Sequence, residues 1–76
     1  MEGILIYNEA ISRPDLVLSD GSLLGGLHCG DCLEVWTDGQ WVTTRLELGD
    51  NWIIISKDAV CELPYGQPAR FCEIIE

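Results

Sequence analysis

A chain of 76 residues with thirteen acidic and four basic side chains carries a formal charge of −9, so its summed field repels phosphate backbones and draws in basic surfaces. Direct nucleic-acid binding is thereby disfavoured, and the length leaves room for one small domain over residues 1–76 but not for a two-domain enzyme. With 47% hydrophobic residues and three tryptophans, the chain is expected to fold rather than stay disordered.

Strand signals recur from the start. GILIYN, Gly3 to Asn8, is a β-rich run; Arg13-Pro14-Asp15 breaks the chain; LVLSDGSLL offers two short strands around Ser19-Asp20-Gly21. After Gly25-Gly26 comes LHCGDCLEVW, in which Gly30-Asp31 reads as a turn leading into a strand. CLEVWTDGQWVTTRLEL is two alternating runs joined by Asp38-Gly39, the composition of a two-residue type I′ hairpin. That turn places Thr37 opposite Gln40, Trp36 opposite Trp41, Val35 opposite Val42, Glu34 opposite Thr43 and Leu33 opposite Thr44. Leu33, Val35, Val42, Leu46 and Leu48 then share a core face, and Glu34, Trp36, Trp41, Thr43, Arg45 and Glu47 share the other. LGDN, Leu48 to Asn51, turns the chain into the strand WIIIS, with the side taken by Trp52 left open. SKDA, Ser56 to Ala59, allows one short helical turn, and RFCEIIE, Arg70 to Glu76, reads as a closing strand. No segment carries a long 3.6-period apolar stripe. Five to six short strands with tight hairpins predict an all-β domain, a small SH3-like barrel whose closure removes exposed edges, with a minimal sandwich as the alternative.

No run of 18 apolar residues exists, and the N-terminal MEGILIYNEA lacks the basic and long apolar regions of a signal peptide, so a cytoplasmic protein with no membrane partner is expected. In that compartment Cys29, Cys32, Cys61 and Cys72 are expected as reduced thiols or metal ligands rather than a disulfide framework. Cys29-x-x-Cys32 has the spacing of a zinc half-site that Cys61 with Cys72, or His28, could complete. The second pair is ten residues apart, however, and a strand rather than a helix follows the first, which weighs against both zinc and thioredoxin-like redox chemistry. The preferred reading is a turn with free thiols and no cofactor.

His28 is the single histidine, and neighbours in extended chain point to opposite faces, so His28 and Cys29 do not form a nucleophile–base pair. No nucleotide-binding or paired-carboxylate pattern is present, and no enzymatic activity is expected. The acids are spread along the chain from Glu2 and Asp15 to Glu76, which fits solubility charge and also fits engagement of a basic partner. The Trp36/Trp41 pair, beside Glu34 and Glu47, is the candidate contact surface, suited to a basic or aromatic-rich partner. The bland alternative is that these indoles cover the other sheet of a tiny barrel or are shielded by the termini.

Gly30, Asp31, Leu33, Glu34, Val35, Trp41, Val42, Arg45, Leu46, Glu47 and Trp52 make a pattern G-D-x-L-E-V, a turn, then W-V-x-x-R-L-E and an aromatic-bearing strand. Over Leu27 to Ile55 this resembles a family of short bacterial domains of unknown function from Firmicutes, their phages and integrated elements. The resemblance implies an SH3-like barrel and a mobile-element setting, with no activity or catalytic residue to carry over. Together these readings predict a non-enzymatic, phage- or mobile-element-encoded interaction module. It would bind a basic surface of a host protein through Trp36, Trp41, Glu34, Arg45 and Glu47, as a counter-defence inhibitor would. The alternatives are a binder or sponge for a nucleotide-like small molecule, and a zinc-stabilised structural domain; a homodimer is compatible with each.

Overall fold

Asp38 and Gly39 both have positive φ, 51° and 78°, the backbone a type I′ turn demands. The turn joins β3 (Cys32–Thr37) to β4 (Gln40–Leu48) in the predicted register, with Trp36 opposite Trp41 and Leu33 opposite Thr44. The structure is a computed structural model and describes residues 1–72. Within them the other strands are β1 (Glu2–Asn8), β2 (Arg13–Leu18), β5 (Trp52–Ser56), β6 (Val60–Glu62) and β7 (Pro68–Phe71). All seven pair antiparallel in one sheet of order β2-β1-β7-β3-β4-β5-β6, and among the described residues there is no helix.

A flat seven-stranded sheet would be about 30 Å across and a single layer thick. The observed extents are 32 × 29 × 27 Å, so the sheet curls round its own inner face into a small barrel-like fold. Leu5, Leu16, Leu33, Val35, Leu46, Ile54 and Ala69 fill that interior from six strands, closed by Leu27 and Leu63 from the connecting segments. Trp52 falls on the same side and packs half-buried against this core. Leu48, assigned to the core by alternation, is instead 54% exposed, because β4 runs past the last core layer at Leu46 before the chain turns.

Three further expectations are corrected. Arg13-Pro14-Asp15 does not break the chain but opens β2, an edge strand. The Pro14 carbonyl accepts from Leu27 N, so the side of the residue that lacks an N–H faces away from β1. The second strand sought after Gly21 is a single bridge between Val17 and Leu23; residues 22–27 lie along β2 and shield its free edge through Leu24 N to Leu16 O and Leu27 N to Pro14 O. Ser56–Ala59 forms a tight turn, closed by Ser56 N and Oγ on the Ala59 carbonyl, in place of a helical turn. The closing strand is β7, and residues 73–76 of the predicted run lie outside the described residues.

Gly3 leaves no room for a side chain between β1 and β2: a Cβ there would lie 2.5 Å from the Val17 carbonyl oxygen. Backbone must move to admit it, so Gly3→Ala is expected to destabilise the domain by about 1–3 kcal/mol, read from the urea midpoint at unchanged m-value.

Candidate functional site

Alternation along β3, β4, β7 and β1 sends Glu34, Trp36, Trp41, Thr43, Arg70, Pro68, Glu2 and Ile4 to the outer side of the sheet. There the strand pairing aligns them in two rows. Glu2 opposes Arg70, Arg70 opposes Glu34, and Glu34 opposes Thr43. One step along, Ile4 opposes Pro68 and Trp36 opposes Trp41, with Trp36 following the Val35–Ala69 pair and so lying beside Pro68. The indoles meet edge-to-face, centroids 5.4 Å apart at 71°, the geometry favoured by the ring quadrupole. Trp36 is 38% and Ile4 40% exposed.

Arg70 organises this face. Its guanidinium carbon stands 3.9 Å above the Trp41 ring and its Nε donates to Glu34 Oε1 at 3.1 Å. Trp36, Trp41 and Glu34 are therefore brought together, but Trp41 has its own cation and Glu34 its own counter-ion. Arg45 and Glu47 pair with each other along β4 at 2.8 Å. Exposed pairs of this kind are each worth about 0–1 kcal/mol, and they neutralise the carboxylates expected to attract a basic partner locally. Trp36, with Ile4, is left as the open apolar contact.

The Cys29-Gly30-Asp31-Cys32 stretch is a turn, as its Gly-Asp predicts. Asp31 N donates to the His28 carbonyl at 3.1 Å, and Asp31 Oδ2 accepts from His28 N at 2.8 Å, closing residues 28–31 from both sides. Gly30, at φ 88°, and Asp31 both oppose Leu46, through Gly30 N to Leu46 O and Leu46 N to Asp31 O. This is a β-bulge of the kind that requires a left-handed first residue, hence glycine. His28 is exposed, with Arg13 Nη1 2.6 Å from its Nδ1.

The cysteine reading is corrected in part. Cys32 and Cys72 form a disulfide with Cα atoms 5.5 Å apart, while Cys29 and Cys61 are exposed free thiols. The four are not one ligand set, and no three His, Cys, Asp or Glu side chains gather as a metal site among the described residues. The bond ties the chain beyond β7 to the start of β3 across a separation of 40 residues. By chain entropy such a closure contributes about 4 kcal/mol; reduction, or Cys72→Ser, should lower stability by about 2–4 kcal/mol and disappear as a difference once the wild type is itself reduced.

Asp15, counted in the sequence among dispersed solubility charges, is fully buried. Its Oδ1 accepts from the backbone N–H groups of Leu16, Gly25 and Gly26 at 2.8–3.0 Å, and its Oδ2 from Asn8 Nδ2 at 3.0 Å. Burial alone would raise its pKa, but the bonds from Asn8, Gly26, Leu16 and Gly25 together outweigh it and hold the carboxyl below the ordinary aspartate value. The only sequence trace of this role is an Asp in β2 ten residues before a Gly-Gly pair.

The family described as Domain of unknown function (DUF5348) matches residues 3–71. This chain belongs to the DUF5348 family. The DUF5348 domain thus takes in all seven strands almost whole, well beyond the Leu27–Ile55 resemblance; Cys72, half of the disulfide, falls just after the matched residues. The crystal structure of a protein from Ruminococcus gnavus is similar to this DUF5348 domain, at 34% identity and a TM-score of 0.79, over 93% of this chain and 100% of the other. No curated protein matches the chain in sequence. Among the described residues of the domain no helix is long and apolar enough to cross a membrane.

At the far end of β4 from the tryptophan pair, the domain has a groove of about 530 Å³ between Tyr7, Leu48, Asp50, Trp52, Glu62 and Tyr65. Tyr7 and Tyr65 meet edge-to-face at 6.1 Å and 87°, each 44% exposed. Sequence reasoning missed this surface, since its aromatics come from β1, β5 and the segment before β7 with no local pattern joining them.

Proposed function

We propose that this domain is a non-enzymatic, acidic protein-interaction module, encoded by a phage or other mobile element, that binds a host protein bearing a basic surface. The observation that carries the reading is the apolar row on the outer sheet face, exposed Ile4 and Trp36 with half-buried Pro68 between them, backed by Trp41 and bordered by Glu2. An exposed indole on a sheet face is one of the residue types that dominate protein–protein binding energy. Attraction to a basic partner comes from the whole-molecule charge of −9, because Glu34 and Glu47 are already paired and a net field steers encounter over distances beyond single pairs. A host nuclease or regulator with a basic nucleic-acid groove has the complementary charge, which makes counter-defence inhibition the concrete form of the reading.

The experiment is capture of host proteins on the intact domain, followed by native mass spectrometry of the complex and titration with salt. A stoichiometric complex that weakens with ionic strength and depends on Trp36 supports the reading. A complex indifferent to Trp36, or a domain that only ever carries a small molecule, sinks it.

A further inference from the structure

The carboxylates of this molecule are not equally satisfied. Glu34 holds Arg70, Glu47 holds Arg45 and Asp15 holds four N–H donors. Asp50 and Glu62 are exposed and, among the described residues, join no ion pair. Both line the groove walled by Tyr7, Trp52 and Tyr65, and none of the chain's Lys or Arg residues lines it with them. Glu73–Glu76 adds no basic side chain. Three aromatic residues and two acidic residues without an ion pair among the described residues therefore line one groove of about 530 Å³, within the ordinary size of a ligand site.

We propose that this groove binds an organic cation, an ammonium or guanidinium head group. Ring faces attract such a head through their quadrupole, most strongly for indole, and rim carboxylates add the opposite charge. The same chemistry is already realised inside this molecule, where Arg70 lies over Trp41 with Glu34 as its counter-ion; at the far end of β4 the aromatic and acidic parts are present and the cation is not supplied by the chain. Burial, and then the neighbouring Tyr7, raise the pKa of Tyr65, which keeps its hydroxyl neutral and its ring a face for the ligand. Leu48, at 54% exposure, gives the methyl or methylene groups beside the charge an apolar wall.

The site is independent of the Trp36 face, from which it is separated by the length of β4, and either can fail alone. The test is an NMR titration of the intact domain with choline, with N-acetyl-arginine amide, and with 3,3-dimethylbutan-1-ol as the uncharged counterpart of choline. At least one cation is expected to shift the Trp52 indole and Tyr65 ring signals while leaving Trp36 unmoved, and the neutral alcohol to bind about tenfold more weakly. Asp50→Asn with Glu62→Gln, both at exposed positions, should weaken the cation by about tenfold. Tighter binding of choline assigns the site to a free quaternary ammonium, and tighter binding of the arginine derivative to a partner's side chain. No shift with either cation up to about 100 mM, equal binding of the alcohol, or indifference to the two carboxylate substitutions overturns the proposal.

Discussion

Asp15→Ala is expected to be the most damaging single substitution at a polar position, lowering unfolding free energy by about 3–5 kcal/mol. The carboxylate terminates four donors, from Leu16, Gly25, Gly26 and Asn8, and its removal strips the buried Leu16 N–H and three part-buried N–H groups of that partner at once. It also loosens the 22–27 segment that shields the edge of β2. A domain of this length has a total stability of about 4–11 kcal/mol, so the variant loses a large share of it and its urea midpoint should fall accordingly. Asp15→Asn separates geometry from charge: its carbonyl can keep the three backbone donors, but its amide meets the Asn8 amide donor to donor, and about 1–2 kcal/mol should be lost.

The pH dependence follows from the same bonds. Because the folded-state pKa of Asp15 is lowered, its contribution is fully present above the unfolded aspartate value of about 3.9 and is lost as pH falls through the folded value. Urea unfolding of wild type and Asp15→Asn should therefore differ by a constant amount between neutral pH and about 5 and converge in stronger acid. A difference that grows on acidification would contradict the assignment.

Trp36→Ala is expected to weaken partner capture by at least about 30-fold, roughly 2 kcal/mol, while lowering stability by only about 1 kcal/mol through loss of the edge-to-face contact with Trp41. The asymmetry between the two indoles is the informative part. Trp41 is half-buried and carries Arg70, so its replacement by alanine should also disturb the Arg70–Glu34 pair and reduce stability more than binding. Thr43→Arg adds a positive charge on the exposed site opposite Glu34, touching no core residue, and should weaken capture by a basic partner while leaving the unfolding midpoint unchanged. Circular dichroism beside a binding isotherm distinguishes these outcomes. Full binding by Trp36→Ala would remove the outer face from consideration.

Much of the central hairpin is settled locally. Asp38-Gly39 permits one tight turn, the side-chain period of two then fixes every pair from Leu33–Thr44 to Thr37–Gln40, and Gly30-Asp31 carries its own bulge and turn. The all-β class follows from the same short-range signals. Long-range closure is different in kind. Whether Leu48 is buried depends on where the curled sheet ends; whether Pro14 is tolerated depends on β2 being an edge. The partners of Cys32, Asp15 and Arg70 lie 40, up to 11 and 36 residues away, at distances over which no residue spacing encodes contact. The sequence by itself determined the antiparallel class, the Trp36–Trp41 register and the excess of negative charge. Only the tertiary structure decided which carboxylates are satisfied and which are open, because charge is a property of the residue but its compensation is a property of the neighbours the curled sheet brings to it.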